Sequence, residues 1–276
     1  VDGNGTEDRT FFVPKYVPLV VKFSEDLKSI KTIIPLKLKG RGATGLPNLS
    51  ELDEDAFDQK KAKLPFDPYG IDPEGIAIDD QNHIWLCEEY GPSLVEFDEK
   101  GYFIRRVLPN GSKRLGEKRL PEFLNKRRKN RGFEGITFHD GKLFFVLQSP
   151  LTEDSRDNYL LSFNPKTNET QYYIYRMHKK GKKLGAITHL KENDFLVLEQ
   201  NGKTGDKSWQ RIYKITLQEP EKEVKKTKFL KLSLSDYEKI EGLSLINKSL
   251  FVIEDNDFSP LKEGAEGLTR LFEYNL

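Results

Sequence analysis

Three Glu-Gly pairs recur along the chain, each opening a short apolar segment: Glu74-Gly75-Ile76-Ala77-Ile78, Glu134-Gly135-Ile136-Thr137-Phe138 and Glu241-Gly242-Leu243-Ser244-Leu245. A degenerate copy reads Gly185-Ala186-Ile187-Thr188-His189. After each copy come a polar turn and an apolar run, and the run ends on a polar residue: Glu88, Gln148, Glu199 or Glu254. Glu89, Asp255 and Asp257 lie beside these ends. Carboxylates gathered in one place cannot all stay ionised without a counter-charge. Basic side chains or a bound cation supply it. Oxygen donors without a cysteine cluster select a hard divalent ion, with Ca²⁺ the first expectation and Mg²⁺ the second.

The repeat that carries these residues also says what positions them. The apolar runs are Ile84–Cys87, Leu143–Leu147, Phe195–Leu198 and Leu250–Ile253. A third alternating segment follows each: Ser93–Phe97, Tyr159–Phe163, Arg211–Ile215 and Arg270–Tyr274. Three copies add a fourth, around Tyr102–Val107, Gln171–Tyr175 and Phe229–Leu232. Short antiparallel strands in fours, repeating every fifty to sixty residues or so, predict an all-β fold, a β-propeller of four-stranded blades. Pro18–Phe23 and Lys31–Leu36 read as the third and fourth strands of a further blade, so five repeats are visible in a five- or six-bladed ring. The first two strands of that blade are not in the sequence. The expectation is that a segment ahead of Val1 completes it. Residues 1–276 are expected to form a single propeller domain, interrupted by rim insertions at about 39–70 and 110–131, the second with a short helix within Leu120–Lys129.

Bulk composition excludes several classes. Forty-five Lys and Arg against 44 Asp and Glu leave a net charge of +1, which argues against a nucleic-acid binder. No apolar run approaches the ~18 residues of a membrane span. The single cysteine, Cys87, cannot form an intramolecular disulfide and is expected to be a small buried hydrophobe. The four histidines lack metal-ligand spacing, and no Gly-x-Ser-x-Gly elbow surrounds Ser93 or Ser149. Asp2–Asp8 resembles a calcium loop without the EF-hand spacing and is expected to be a rim loop.

In a blade, the start of the first strand and the end of the second lie at the same rim. That geometry predicts a mouth lined by Glu74, Glu134, Glu241, Glu88, Glu199 and Glu254, with Glu89, Asp255 and Asp257 adjoining. Glu134, Glu241 and Glu88 are the expected catalytic residues. Glu74, Glu89, Glu199, Glu254, Asp255 and Asp257 are the expected metal ligands. Arg131, three residues before Glu134, and Arg128 in the basic run Lys126–Lys129 are expected to bind a substrate phosphate.

The stretches Gly70-Ile71-Asp72-Pro73-Glu74-Gly75-Ile76-Ala77, Glu88-Glu89-Tyr90-Gly91-Pro92-Ser93-Leu94, Asn130-Arg131-Gly132-Phe133-Glu134-Gly135-Ile136 and Gln148-Ser149-Pro150-Leu151 resemble the phytase-like domain family, described by the esterase-like activity of phytase. So do Phe195–Glu199, Lys239–Leu243 and Asp255-Asn256-Asp257-Phe258, in family order. The resemblance implies an exported bacterial protein (periplasmic, secreted or on the outer surface). It also implies a phosphoesterase resting on Glu74, Glu88, Glu89, Glu134, Glu199, Glu241, Asp255 and Asp257. The chain departs from the family at Gly185-Ala186-Ile187, where many members carry Asp in a Gly-Asp-Leu pattern.

The leading expectation is a divalent-metal-dependent phosphoesterase acting on a small anionic phosphate ester or diester. A metal-dependent lactonase-type hydrolase, with Asn256 as a ligand, is the alternative enzyme. A non-enzymatic ligand- or protein-binding propeller is the alternative from another class.

Overall fold

Alternation of apolar and polar residues, punctuated by turn residues, sets the strands. The computed structural model describes residues 9–11, 13–38, 41–48, 55–203, 207–232, 239–255 and 269–276. The chain divides into two compact units, Val1–Gly132 and Phe133–Leu276. Asp2–Asp8 and Asp257 lie outside the described residues.

The first unit contains β1 (Arg9–Thr10), β2 (Leu19–Phe23), β3 (Ile30–Pro35), β4 (Lys37–Leu38), β5 (Arg41–Gly42) and β6 (Ala56–Phe57). A full blade follows: β7 (Pro73–Ile78), β8 (Ile84–Glu88), β9 (Ser93–Phe97) and β10 (Phe103–Pro109) pair antiparallel in chain order. β11 (Glu117–Leu120) adds to β10 in parallel. A 3-10 turn over Glu122–Lys126 stands where the short helix was expected. β2 and β3 form the antiparallel hairpin expected at the start of the chain. β11 was not expected, because Glu-Lys-Arg-Leu shows no apolar alternation; Leu120 alone of the four is buried.

The second unit holds β12 (Phe133–His139) to β15 (Thr170–Arg176), with β13 (Lys142–Leu147) and β14 (Asp157–Phe163) between them. Next come β16 (Lys183–Lys191), β17 (Asp194–Gln200), β18 (Gln210–Thr216) and β19 (Lys225–Lys231). β20 (Lys239–Ile246), β21 (Ser249–Asp255) and β22 (Leu271–Asn275) complete it. Each set is an antiparallel sheet in chain order. The chain is all-β and is built from the blades of a β-propeller, four sheets at the expected places. In all four, the turn from first to second strand uses a residue with positive φ: Asn82, Asp140 with Gly141, Glu192 and Asn247.

Blade sheets bury both faces, and β17 shows how. Phe195 and Val197 pack with Phe144, Val146, Leu160 and Tyr175 of the preceding blade. Leu196 and Leu198, pointing the other way, pack with Ile240, Leu250 and Val252 of the following one. The equivalent run Ile84-Trp85-Leu86-Cys87 is buried throughout, and Cys87 is a buried thiol outside any disulfide, as expected.

First strands of neighbouring blades run close together. A Cβ added to Gly135 would lie 2.7 Å from the Ala186 Cα and 2.9 Å from the Ile187 nitrogen. Backbone cannot swing aside as a side chain can, so Gly135→Ala is expected to cost about 1–3 kcal/mol. The midpoint of urea unfolding would read it, and an unchanged midpoint would show that β12 and β16 are not packed this closely.

Candidate functional site

The Glu of each Glu-Gly pair occupies a defect in the ladder. Pro73 pairs with Glu88 and Gly75 with Cys87, so Glu74 is an extra residue in β7. The same slip places Glu134 between Phe133 and Gly135, and Glu241 between Ile240 and Gly242. In the degenerate copy the extra residue is Gly185. A bulge re-aims the side chain it carries, and this repeated bulge turns each Glu out of the regular alternation. The residue pattern showed the repeated motif but not this local geometry.

Residues closing the second strands behave differently. Glu88, Glu199 and Glu254 are all buried, and each meets a basic side chain. Glu88 pairs with Arg114. Lys226 lies 2.5 Å from Glu199, and Arg270 lies 2.9 Å from Glu254. Gln148 sits one position beyond this series, because Leu147 takes the register place opposite Phe133. Gln148 instead donates to Glu134 Oε1.

In the first unit these features combine. Asp72, Glu74 and Glu89 each offer a carboxylate oxygen within 4.8 Å of the others. Asp72 and Glu89 are buried and Glu74 half-buried. The backbone holds the set: the Glu89 amide donates to the Asp72 carbonyl at 3.1 Å, and the Asp72 amide reaches Glu88 Oε2 at 3.5 Å. Ser93 donates to the other oxygen of Glu88. Burial opposes ionisation of Glu88, but Arg114 and then Arg106 outweigh it and hold the carboxyl below its ordinary value. Burial also pushes Arg106 down to about 10 against the pull of Glu88. Arg106 and Arg114 then tie nearby loops by donating to the carbonyls of Gly70 and Gly91, at 2.9 and 2.7 Å.

Arg131 stands 3.7 Å from Glu89. Its neighbour Gly132 presses on the same loop, since a Cβ there would lie 2.4 Å from the Glu89 carbonyl oxygen. Arg128 contributes its carbonyl to Arg127, which donates to it at 3.0 Å and also donates to the Tyr90 carbonyl.

The second unit holds Glu134 and Glu241 around one cation. Lys183 Nζ is 3.0 Å from Glu241 Oε1 and 3.9 Å from Glu134 Oε1. Three successive first strands, β12, β16 and β20, are thereby joined. Glu199 faces elsewhere: it accepts from Tyr175 at 2.9 Å and from the His178 amide at 2.6 Å, and Lys226 lies between the rings of Tyr175 and Tyr213. Burial lowers the Lys226 pKa despite Glu199, and burial with Glu199 raises that of Tyr175. Asp255 ends β21, opposite Lys239.

Asp72, Arg114 and Lys183 were not anticipated. Asp72 stands two residues before Glu74, and that spacing was a usable signal. Lys183 closes the run Lys179-Lys180-Gly181-Lys182-Lys183, which reads as a solvated loop. A further cluster, Asp79, His83 and Glu96, also brings ligand atoms within 4.8 Å of one another. Glu96 there accepts from Arg105 Nε at 2.6 Å.

A family profile described as "Phytase-like: Esterase-like activity of phytase" matches residues 26–258. Over 105 residues the chain is 30% identical to an "Uncharacterized secreted protein" of Arthroderma benhamiae, covering 30% of this chain and 20% of that one. The chain therefore spans about a fifth of that relative's length. Virginiamycin B lyase from Staphylococcus aureus aligns with a TM-score of 0.42 at 11% identity, over 85% of this chain and 69% of its own. PorZ, a type-IX secretion component of Porphyromonas gingivalis, aligns at 0.42 with 13% identity, over 73% of this chain and 28% of its own. Among the described residues, no helix is long and apolar enough to cross a membrane.

Proposed function

The chain belongs to the phytase-like family, and on that premise we propose that it is an exported, divalent-metal-dependent phosphoesterase whose cation is held by Asp72, Glu74 and Glu89. The convergence of these three carboxylates carries the reading. The donor set fits: all ligand atoms are oxygens, and three carboxylates suit Ca²⁺, with Mg²⁺ second. A bound cation would polarise a phosphoryl oxygen and acidify a water.

The chain's own residues do the rest. Arg131, 3.7 Å from Glu89, would bind a phosphate oxygen of the substrate. Glu88 is a positioning residue: fully buried, it fixes the Asp72 amide and the start of the loop that carries Glu89. In the second unit, Glu134 and Glu241, sharing Lys183, form a carboxylate centre of their own. The proposed substrate is a small phosphate ester or diester.

The test is calorimetric titration of Ca²⁺ and Mg²⁺ into chelator-stripped protein, followed by a phosphoester panel with the ion restored. Saturable binding is expected. Asp72→Asn and Glu89→Gln should each weaken it by about tenfold or more, since affinity follows ligand charge. Absence of binding at about 1 mM cation, the weak end of such sites, would remove this reading. Tight cation and phosphoester binding without turnover would favour a binding propeller.

A further inference from the structure

Away from both carboxylate centres, the second unit carries three buried hydrogen-bond donors on one face of one strand. Trp209 stands just ahead of β18, and Arg211 and Tyr213 lie within it. A strand turns alternate residues to the same side, so these three share the face that meets β15 of the preceding blade. His178, just past β15, stacks on Trp209 with ring centroids 4.9 Å apart. The Lys226 ammonium lies over the rings of both Tyr175 and Tyr213, at 4.2 and 4.1 Å. The Arg211 guanidinium stands 5.3 Å from the centre of the Trp209 ring.

Trp209 Nε1, Arg211 Nε and the Tyr213 hydroxyl are shut from solvent, and none of the three has a hydrogen-bond partner among the described residues. Tyr213 is only 4% exposed. Arg211 is its electrostatic neighbour, opposing the rise that burial and Glu199 impose on the Tyr213 pKa. A guanidinium only donates, however, so it cannot accept the phenolic proton. Buried donors left unmet cost stability, and native proteins carry few of them. Three on a single face call for an acceptor from outside the chain.

Charge says what kind. Glu199 stands opposite Arg211 in the β17–β18 ladder, but its oxygens are taken by Lys226, Tyr175 and the His178 amide. The Arg211 guanidinium makes no ion pair among the described residues. We propose that this face of β18 binds a small oxyanion such as phosphate, seated on Arg211 between the donors of Trp209 and Tyr213. Arginine is the side chain best shaped for an oxyanion, and the indole beneath it favours a cation in that place. Neither a metal ion nor turnover is required, so the inference goes beyond the hydrolytic reading and does not rest on it.

Inorganic phosphate is the probe, titrated calorimetrically into the full chain in excess chelator, with ionic strength held by chloride. Saturable binding is expected. Arg211→Gln and Tyr213→Phe should each weaken it by about tenfold, the value of one charge-assisted contact. Arg211→Lys, which keeps the charge, should retain part of the affinity, and Lys225→Gln, an exposed change on the adjoining β19, should retain all of it. In phosphate-free buffer Tyr213→Phe should melt no lower than the parent, because the hydroxyl it loses has no partner to forfeit. Phosphate should then raise the parent's melting temperature more than the variant's. Four results would overturn the proposal: no saturation below about 10 mM, an affinity typical of no specific site; Arg211→Gln or Tyr213→Phe binding like the parent; Lys225→Gln losing as much as Arg211→Gln; or a lower melting temperature for Tyr213→Phe without phosphate, which would show that water already satisfies the hydroxyl.

Discussion

Replacing Arg114 by Met should lower the free energy of unfolding by about 3–5 kcal/mol, the usual cost of breaking a buried ion pair from one side. Both partners are almost wholly inaccessible, at 2% and 0% side-chain exposure. Removing the guanidinium leaves the Glu88 carboxylate buried, with Arg106 as its remaining strong neighbour. The loss also takes the Arg114 donor from Asn48 Oδ1 and from the Gly91 carbonyl. Glu88→Gln should cost a comparable amount, because the buried Arg114 guanidinium then lacks its anion and Arg106 keeps only the weaker pull of Asp67. The double variant should recover part of the sum, and that recovery measures the coupling directly. Additive losses would mean that the pair is not an energetic unit.

The pH dependence follows from the same pair. The folded pKa of Glu88 lies below its ordinary value: burial raises it, and Arg114 and Arg106 more than offset that. Asp67 is also lowered, burial again opposed by Arg41 and Thr44. A depressed carboxyl contributes stability that is fully present above its unfolded pKa, about 3.9–4.3 for Asp and Glu, and that is lost as pH falls through the folded value. The parent should therefore lose stability steeply below about pH 4. In Arg114→Met that slope should be shallower, because much of the pull on Glu88 has gone. Urea midpoints between neutral and acid pH would read both curves, and parallel curves would assign the acid sensitivity to other carboxylates.

How far these arrangements could be read from the residues depends on how local they are. The blade strands are local: alternation, polar turns and apolar runs lie within a few residues, so β7–β10 and β12–β15 appear where the pattern puts them. The outer strand of the third repeat does not. It was expected near Phe229–Leu232 but runs over Lys225–Lys231, where four lysines, Lys225, Lys226, Lys228 and Lys231, mask the period. Lysine suits an edge strand, where it discourages pairing with other chains. The Glu-Gly motif was visible, but the bulge that makes Glu74, Glu134 and Glu241 the odd residues is a property of two strands in register. Arg114 and Lys183 could not be matched with their carboxylates from sequence. Their partners come from other strands, 26 residues away for Glu88 and 58 for Glu241.

Lys183 carries the second large expectation. Its ammonium is a counter-charge to both Glu134 and Glu241, and side-chain exposures of 16%, 3% and 16% leave water little room to screen the three groups. Lys183→Met keeps the aliphatic stem and removes the charge. Two carboxylates then face each other with no ammonium between them, and stability at neutral pH should fall by about 3–5 kcal/mol. Lys183→Arg should retain most of it. The methionine variant should also acquire something the parent lacks at this place: a divalent cation can now take the position between the carboxylates. In an Asp72→Asn background, where the first-unit cluster is disabled, millimolar Ca²⁺ should raise the melting temperature of Lys183→Met but not of Lys183. The reason is physical. An ammonium and a metal ion compete for the same electrostatic role, so removing the lysine that lies between two carboxylates opens that role to a divalent cation. A Ca²⁺ response in the Asp72→Asn parent that Lys183→Met does not enlarge would place the cation outside both carboxylate centres and reverse that assignment.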